Sequence, residues 1–158
     1  MRSLGNNQTG DGAMALEEKA LKFRTFVEAW TKRRLDAVDE MLGSNVVYHM
    51  PPSPDFQRTE ALKQFIANFH AAFPNDFQVF VDEDLAVGNA TVHRWHVSGT
   101  YSGQSPLLPV APTGKHTSAA GCHICHWAED KCTEIWHFGD WLGWLQKAGV
   151  MPELDKLA

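Results

Sequence analysis

Residues 131–151, K-C-T-E-I-W-H-F-G-D-W-L-G-W-L-Q-K-A-G-V-M, decide the fold of this chain. Ile135, Trp136 and Phe138 are β-branched or aromatic, types that suit a half-buried pleated surface, so the first half reads as a strand. Gly139 breaks it. Asp140 then stands at a helix N-cap position, and Trp141, Leu142, Trp144, Leu145 and Ala148 follow at helical spacing. Gly149 stops that helix and Pro152 prevents its resumption. A final core strand runs directly into a short amphipathic helix.

Upstream, Lys131 closes the turn Glu129-Asp130-Lys131, and 116–127 reads as the preceding strand. Within it Cys122-His123-Ile124-Cys125-His126 spells C-x-x-C-H, the attachment signature of c-type haem. On a strand, residues three apart point to opposite faces, so Cys122 and Cys125 cannot both reach one haem edge or one zinc ion. Small core cysteines are the expectation, with no metal ligand set. If His123 faces inward, Gly121 and Cys125 share its face, and a hairpin across the acidic turn puts His123 and His137 on one concave wall. Two imidazoles in a dry pocket have depressed basicity and titrate near neutrality on this reading. Their alternative is one structural and one solvent-facing histidine.

From Met14 to Leu42, Leu16, Ala20, Phe23, Val27 and Trp30 recur at spacings of three and four, a long helix. Arg33 and Arg34 mark a turn into a shorter helix that Gly43 closes. Residues 45–50 form a strand ended by prolines, in which Tyr48 and His49 both lie within reach of a cavity. Residues 59–73 form a third helix, N-capped by Thr59, with Leu62, Phe65, Ile66 and Phe69 on one side. Strands over 77–81 and 85–100 are joined by the acidic turn Asp82-Glu83-Asp84. The second splits into a Val92, Arg94, His96, Ser98 face and a His93, Trp95, Val97 face, with the pocket side undecided. The Pro/Gly-rich loop 102–114 carries Leu107, Leu108 and Val110, which either fold over a pocket mouth or are buried in an oligomer contact.

One domain is expected over 14–158, behind a flexible leader, residues 1–13, that lacks the apolar run of a signal peptide. A net charge of −5 without a basic cluster argues against a nucleic-acid partner, and no segment has the length of a membrane span. Three cysteines, an odd number, suit a reduced, cytoplasmic protein. Six tryptophans and nine phenylalanines supply ring area for a core or for a pocket holding a flat apolar ligand.

Glu134, Trp136, Asp140, Leu142, Gly143, Leu145, Gln146 and Gly149 form E-x-W-x-x-x-D-x-L-G-x-L-Q-x-x-G, which resembles the C-terminal signature of SnoaL-like polyketide cyclases (ester cyclases). The opening F-V-E-A-W with L-D-A-V-D-E-M-L, the middle F-P-N-D-F-x-V and R-W-x-V-x-G-T, and the loop before Lys115 are similar to the same family. The resemblance implies an α+β, NTF2-like cone: a curved antiparallel or mixed sheet wrapped around N-terminal helices, enclosing an apolar pocket. It also implies a homodimer or higher homo-oligomer. The implied activity is cofactor-independent proton transfer on an aromatic or polycyclic carbonyl compound. Aldol ring closure or a related isomerase, lyase or hydrolase reaction would follow. Family members commonly carry Asp where this chain has His137, and an Asn-His pair where it has Tyr48-His49. Limonene epoxide hydrolases have W-x-D-x-x-D-W where this chain has W-H-F-G-D-W. The catalytic expectation is therefore His137 as acid/base, His123 polarising oxygen, and Asp140 both capping the helix and orienting His137. Phe26, Trp30, Tyr48, His49, Phe69, Trp95 and Trp127 would bind substrate. The alternative is a non-catalytic module holding an apolar ligand.

Overall fold

The strand and helix that decide the fold are β6 (Lys131–Gly139) and α4 (Trp141–Lys147), and Asp140 joins them as read. Its Oδ1 accepts the Gly143 N–H at 2.8 Å, satisfying one of the donors a helix start leaves open. Gly149 follows the helix at φ 73°, a left-handed conformation that favours glycine.

The computed structural model describes residues 9–154. Before β6 come α1 (Thr9–Thr31), α2 (Ala37–Met41), β1 (Leu42–His49), β2 (Phe56–Gln57) and α3 (Thr59–Ala72). Then follow β3 (Gln78–Val87), β4 (Ala90–Thr100) and β5 (His116–Ala128). The six strands form one curved, unclosed sheet in the order β2-β1-β6-β5-β4-β3. Only β1 against β6 is parallel. Helices α1 and α3 press Phe23, Phe26, Trp30, Ile66 and Phe69 into the core formed with the sheet. This is the α+β arrangement expected.

Four local readings change. Helix α1 already runs through residues 9–13, placed in the leader from sequence; residues 1–8 lie outside the described residues. Gly43 lies inside β1 rather than ending a helix, because the chain passes from Met41 straight into extended backbone at Leu42. Thr59 is the first helical residue of α3, and Arg58 occupies the cap position without a side-chain cap. Strand β3 continues through Asp82-Glu83-Asp84, and the turn falls at Gly88-Asn89, where Gly88 has φ 59°. The acidic residues are strand residues because each has a cross-strand or helix partner. Asp82 bonds Arg94 and His96, and Asp84 bonds His93 and Arg24. One of the sheet's register shifts lies here, Val81 facing Trp95 and Glu83 facing Arg94, so Asp82 is an extra residue in a bulge.

Strand β4 keeps strict alternation. His93 and Trp95 are buried toward the helices while Arg94 and His96 face outward, which settles the face left undecided by sequence. Strand β5 turns His123, Cys125 and Trp127 inward, with Cys122 half-buried on the other side. Among the described residues no group of three or more potential metal ligands comes together. Gly121 is the position where Trp95 crosses β5. A Cβ there would strike the Phe138 carbonyl and come within 2.7 Å of the Trp95 indole. Gly121→Ala is expected to cost about 1–3 kcal/mol by overpacking and to displace Trp95, read as a lowered urea midpoint and a shifted indole emission.

Candidate active site

Register places the two candidate imidazoles directly opposite each other. His123 of β5 pairs with His137 of β6, and both are buried. The rings meet edge to face with centroids 4.5 Å apart, and His137 Nδ1 lies 2.9 Å from His123 Nε2. The parallel pairing of β1 with β6 brings in a third group. Tyr48 Oη lies 2.7 Å from His123 Nε2 and 3.0 Å from His137 Nδ1. From β4, Trp95 donates its Nε1–H to His123 Nδ1 at 2.7 Å.

Burial governs the charge states. His137 is pushed down to about 3 by burial alone. Burial, with His137 and His93 adding, holds His123 well below the usual imidazole range. Burial raises Tyr48 well above an ordinary phenol. All three groups are therefore held neutral at pH 7, and the expectation that the imidazoles titrate near neutrality is corrected. The physical reason is that no carboxylate touches either ring, so nothing offsets desolvation.

The hollow in front of this cluster is lined by Phe26, Trp30, Phe69 and Trp95, all expected, and by His123, His137 and Asp140. Phe77, Val79, Trp141 and Trp144 are also part of the wall. These four escaped the sequence reading because periodicity marks them as core without saying that core has a gap. The gap is about 50 Å³. A second hollow of about 220 Å³ lies outside it, under Leu107 and Leu108 and against Met50, Pro52 and Phe65. Phe69, Trp141 and Trp144 border both. Leu107 and Leu108 thus line a hollow, while Val110 stays exposed.

Among the described residues, only two buried side-chain nitrogens or oxygens lack a hydrogen-bond partner: His137 Nε2 and Trp141 Nε1. Both belong to rings on the wall of the inner hollow, stacked with centroids 5.3 Å apart and planes 15° apart.

Three expected roles are not what the structure gives. His49 points to the outer face, bonded to Asp55 at 2.9 Å and Glu134 at 3.1 Å and stacked on Trp136, because it is one residue out of phase with Tyr48. Trp127 is buried beyond the hollow's wall, donating Nε1–H to Thr91 Oγ1 at 2.8 Å. That hydroxyl lies 2.8 Å from His93 Nε2, and His93 Nδ1 lies 2.7 Å from Asp84, a polar brace between strands and α1. Asp140 lines the hollow but makes no hydrogen bond to His137, whose Nδ1 is held by Tyr48 and His123 instead. Its carboxylate is turned to the α4 backbone.

A curved sheet closed by helices over an apolar hollow, with neutral polar groups at its floor, defines the cone-shaped α+β class. Within that class the chain belongs to the SnoaL-like polyketide cyclase family, whose sequence profile matches residues 20–148. A protein from Jannaschia sp. CCS1, provisionally described as a SnoaL-like polyketide cyclase, superposes with a TM-score of 0.76 at 18% identity, covering 94% of this chain and 100% of that one. A protein from Bacillus cereus, provisionally described as a polyketide cyclase, gives a TM-score of 0.71 at 25% identity over 85% and 82% of the two chains. An LEH-like epoxide hydrolase of M. tuberculosis gives 0.64 at 13% identity over 85% and 91%. No curated protein matches the sequence. Among the described residues no helix is long and apolar enough to cross a membrane.

Proposed function

We propose that this chain is a cofactor-independent enzyme that moves protons on an aromatic or polycyclic carbonyl compound. The neutral His137 donates its Nε2–H to the carbonyl oxygen, with the Trp141 Nε1–H as second donor. The Asp140 carboxylate takes a proton from the adjacent carbon. The C–H electron pair moves into a carbon–carbon double bond, and the carbonyl pair moves onto oxygen, where the two N–H groups meet the developing charge. In ring closure, the enolate carbon attacks a second carbonyl of the same molecule. A carbon–carbon bond forms, and Asp140 returns the proton to the new alkoxide.

The observation that carries this reading is the pair of unpartnered ring nitrogens at one hollow, since buried polar groups are otherwise almost always partnered. Size supports a ring-bearing substrate. An apolar cavity that takes one benzene ring is about 150 Å³, so the inner gap admits an oxygen-bearing edge and the outer hollow admits a ring. Trp141, half-buried, belongs with Phe69 and Trp144 to the wall that the two hollows share.

The test is enzyme-dependent exchange of the α-protons of 2-tetralone in D₂O, followed by NMR. Asp140→Asn separates base from cap. Asparagine caps a helix about as well as aspartate, so stability is expected to stay within about 0.5 kcal/mol. Exchange is expected to fall at least about 100-fold. Undiminished exchange would take the proton-accepting role from Asp140. A second reading, ligand binding without turnover, is favoured by imidazoles held neutral so far from their titration range. It predicts 2-tetralone binding with no exchange above background.

A further inference from the structure

We infer that Trp95 is a positioning residue that sets the direction of the buried hydrogen-bond relay, so that His137 presents a donor, and not a lone pair, to the hollow. The inference deepens the proposed function and rests on it for its chemical meaning, but its own basis is the arrangement of hydrogens.

The indole nitrogen can only donate. Its contact with His123 Nδ1, at 2.7 Å, therefore makes Nδ1 an acceptor and leaves the ring proton on Nε2. That Nε2–H faces a triangle closed by Tyr48 Oη at 2.7 Å and His137 Nδ1 at 2.9 Å. The only acceptor left for the Tyr48 O–H is His137 Nδ1 at 3.0 Å. His137 Nδ1 thus accepts, and the neutral ring must carry its proton on Nε2, the atom without a partner.

The reverse order fails at its far end. A lone pair on His137 Nε2 requires Nδ1–H, which sends the Tyr48 O–H to His123 Nε2 and puts a proton on His123 Nδ1. Two N–H groups would then confront each other across 2.7 Å. The mixed order, with protons on both His123 Nε2 and His137 Nδ1, sets two N–H groups 2.9 Å apart and strands the Tyr48 hydrogen. Without the indole N–H, the forward and reverse orders each leave one donor and one acceptor unpaired, so they become nearly equal in energy.

The consequence for ligand chemistry is a polarity filter. An oxygen that accepts, such as a carbonyl, enolate or phenolate oxygen, meets a donor at the floor of the hollow. His137 cannot act as a proton acceptor there while Trp95 holds the relay.

Long-range ¹H–¹⁵N correlation of the imidazoles in the full chain at pH 7 tests this directly. The expected spectrum shows His123 and His137 both as Nε2–H tautomers; an Nδ1–H form of either overturns the inference. In Trp95→Phe, the His137 nitrogens are expected to move to values averaged between two tautomers. Binding of 2-naphthol should weaken about two-fold, as the donor form falls to half the population. A single unchanged tautomer in that variant would remove Trp95 as the determinant. Tyr48→Phe should retain both Nε2–H forms, because the direct 2.9 Å contact then carries the relay alone. Reversed tautomers there would equally overturn it, and this variant together with the wild-type spectrum decides the matter if Trp95→Phe does not fold. Correct tautomers with no 2-naphthol binding would leave the relay standing and sink the functional reading instead.

Discussion

Replacing His137 by asparagine is expected to lower α-proton exchange on 2-tetralone by about 10²–10⁴-fold while the chain stays folded. The asparagine amide ends near the position of Nδ1, so its oxygen accepts the Tyr48 O–H that His137 Nδ1 receives at 3.0 Å. It does not reach the depth of Nε2, so the hollow loses its floor donor and the bonds behind it survive. Kcat should carry the loss, because the donor matters most when charge develops on oxygen. Wild-type exchange in this variant would remove His137 from the chemistry and leave the histidine pair as a structural feature of the sheet.

Acidification is expected to destabilise the chain well before its carboxylates are titrated. His137 has a folded-state pKa of about 3 against about 6.5 when unfolded, so the unfolded chain binds the extra proton. Its stabilising contribution is fully present above pH 6.5 and is lost as pH falls toward 3. At pH 5 that loss is about 2 kcal/mol for His137 alone. His123 and His93, both lowered chiefly by burial, act in the same direction, with Asp84 partly opposing the shift at His93. Urea midpoints followed by tryptophan fluorescence should fall steeply between pH 6.5 and 4, with uptake of more than one proton on unfolding. His137→Asn should reduce that uptake by nearly one. A midpoint independent of pH in this range would mean that the rings carry charge in the folded state.

The two results are linked by one cause. The site excludes water and charge from both imidazoles, which makes them useless as bases at neutral pH and useful as neutral donors. The same exclusion makes the fold sensitive to acid. Catalysis through a neutral imidazole N–H is expected to show no imidazole limb between pH 5 and 8, apart from loss by unfolding at the acid end.

Much of this was legible in the chain itself. The Gly139-Asp140 break, the cap on α4 and the inward face shared by Gly121, His123 and Cys125 all follow from period-two and helical spacing, which are local properties. The hairpin that brings His123 and His137 together was legible too, but their direct opposition depends on a bulge beside the turn, where the pairing shifts by one residue between Trp127-Cys132 and His126-Glu134. The separation of His93, Trp95 and Val97 from their neighbours was readable, but not which set faced the hollow. The acidic run 82–84 read as a turn because its partners, Arg24, Arg94 and His96, are distant in sequence or belong to the next strand. Tyr48 and His49 were equivalent until the parallel pairing of β1 with β6 chose between them. The Trp95 N–H on His123 and the unpartnered nitrogens of His137 and Trp141 were likewise decided only by packing. Spacing along a strand determines which side a group faces. Which atom meets which, and how much room is left between them, depends on how distant segments close on one another.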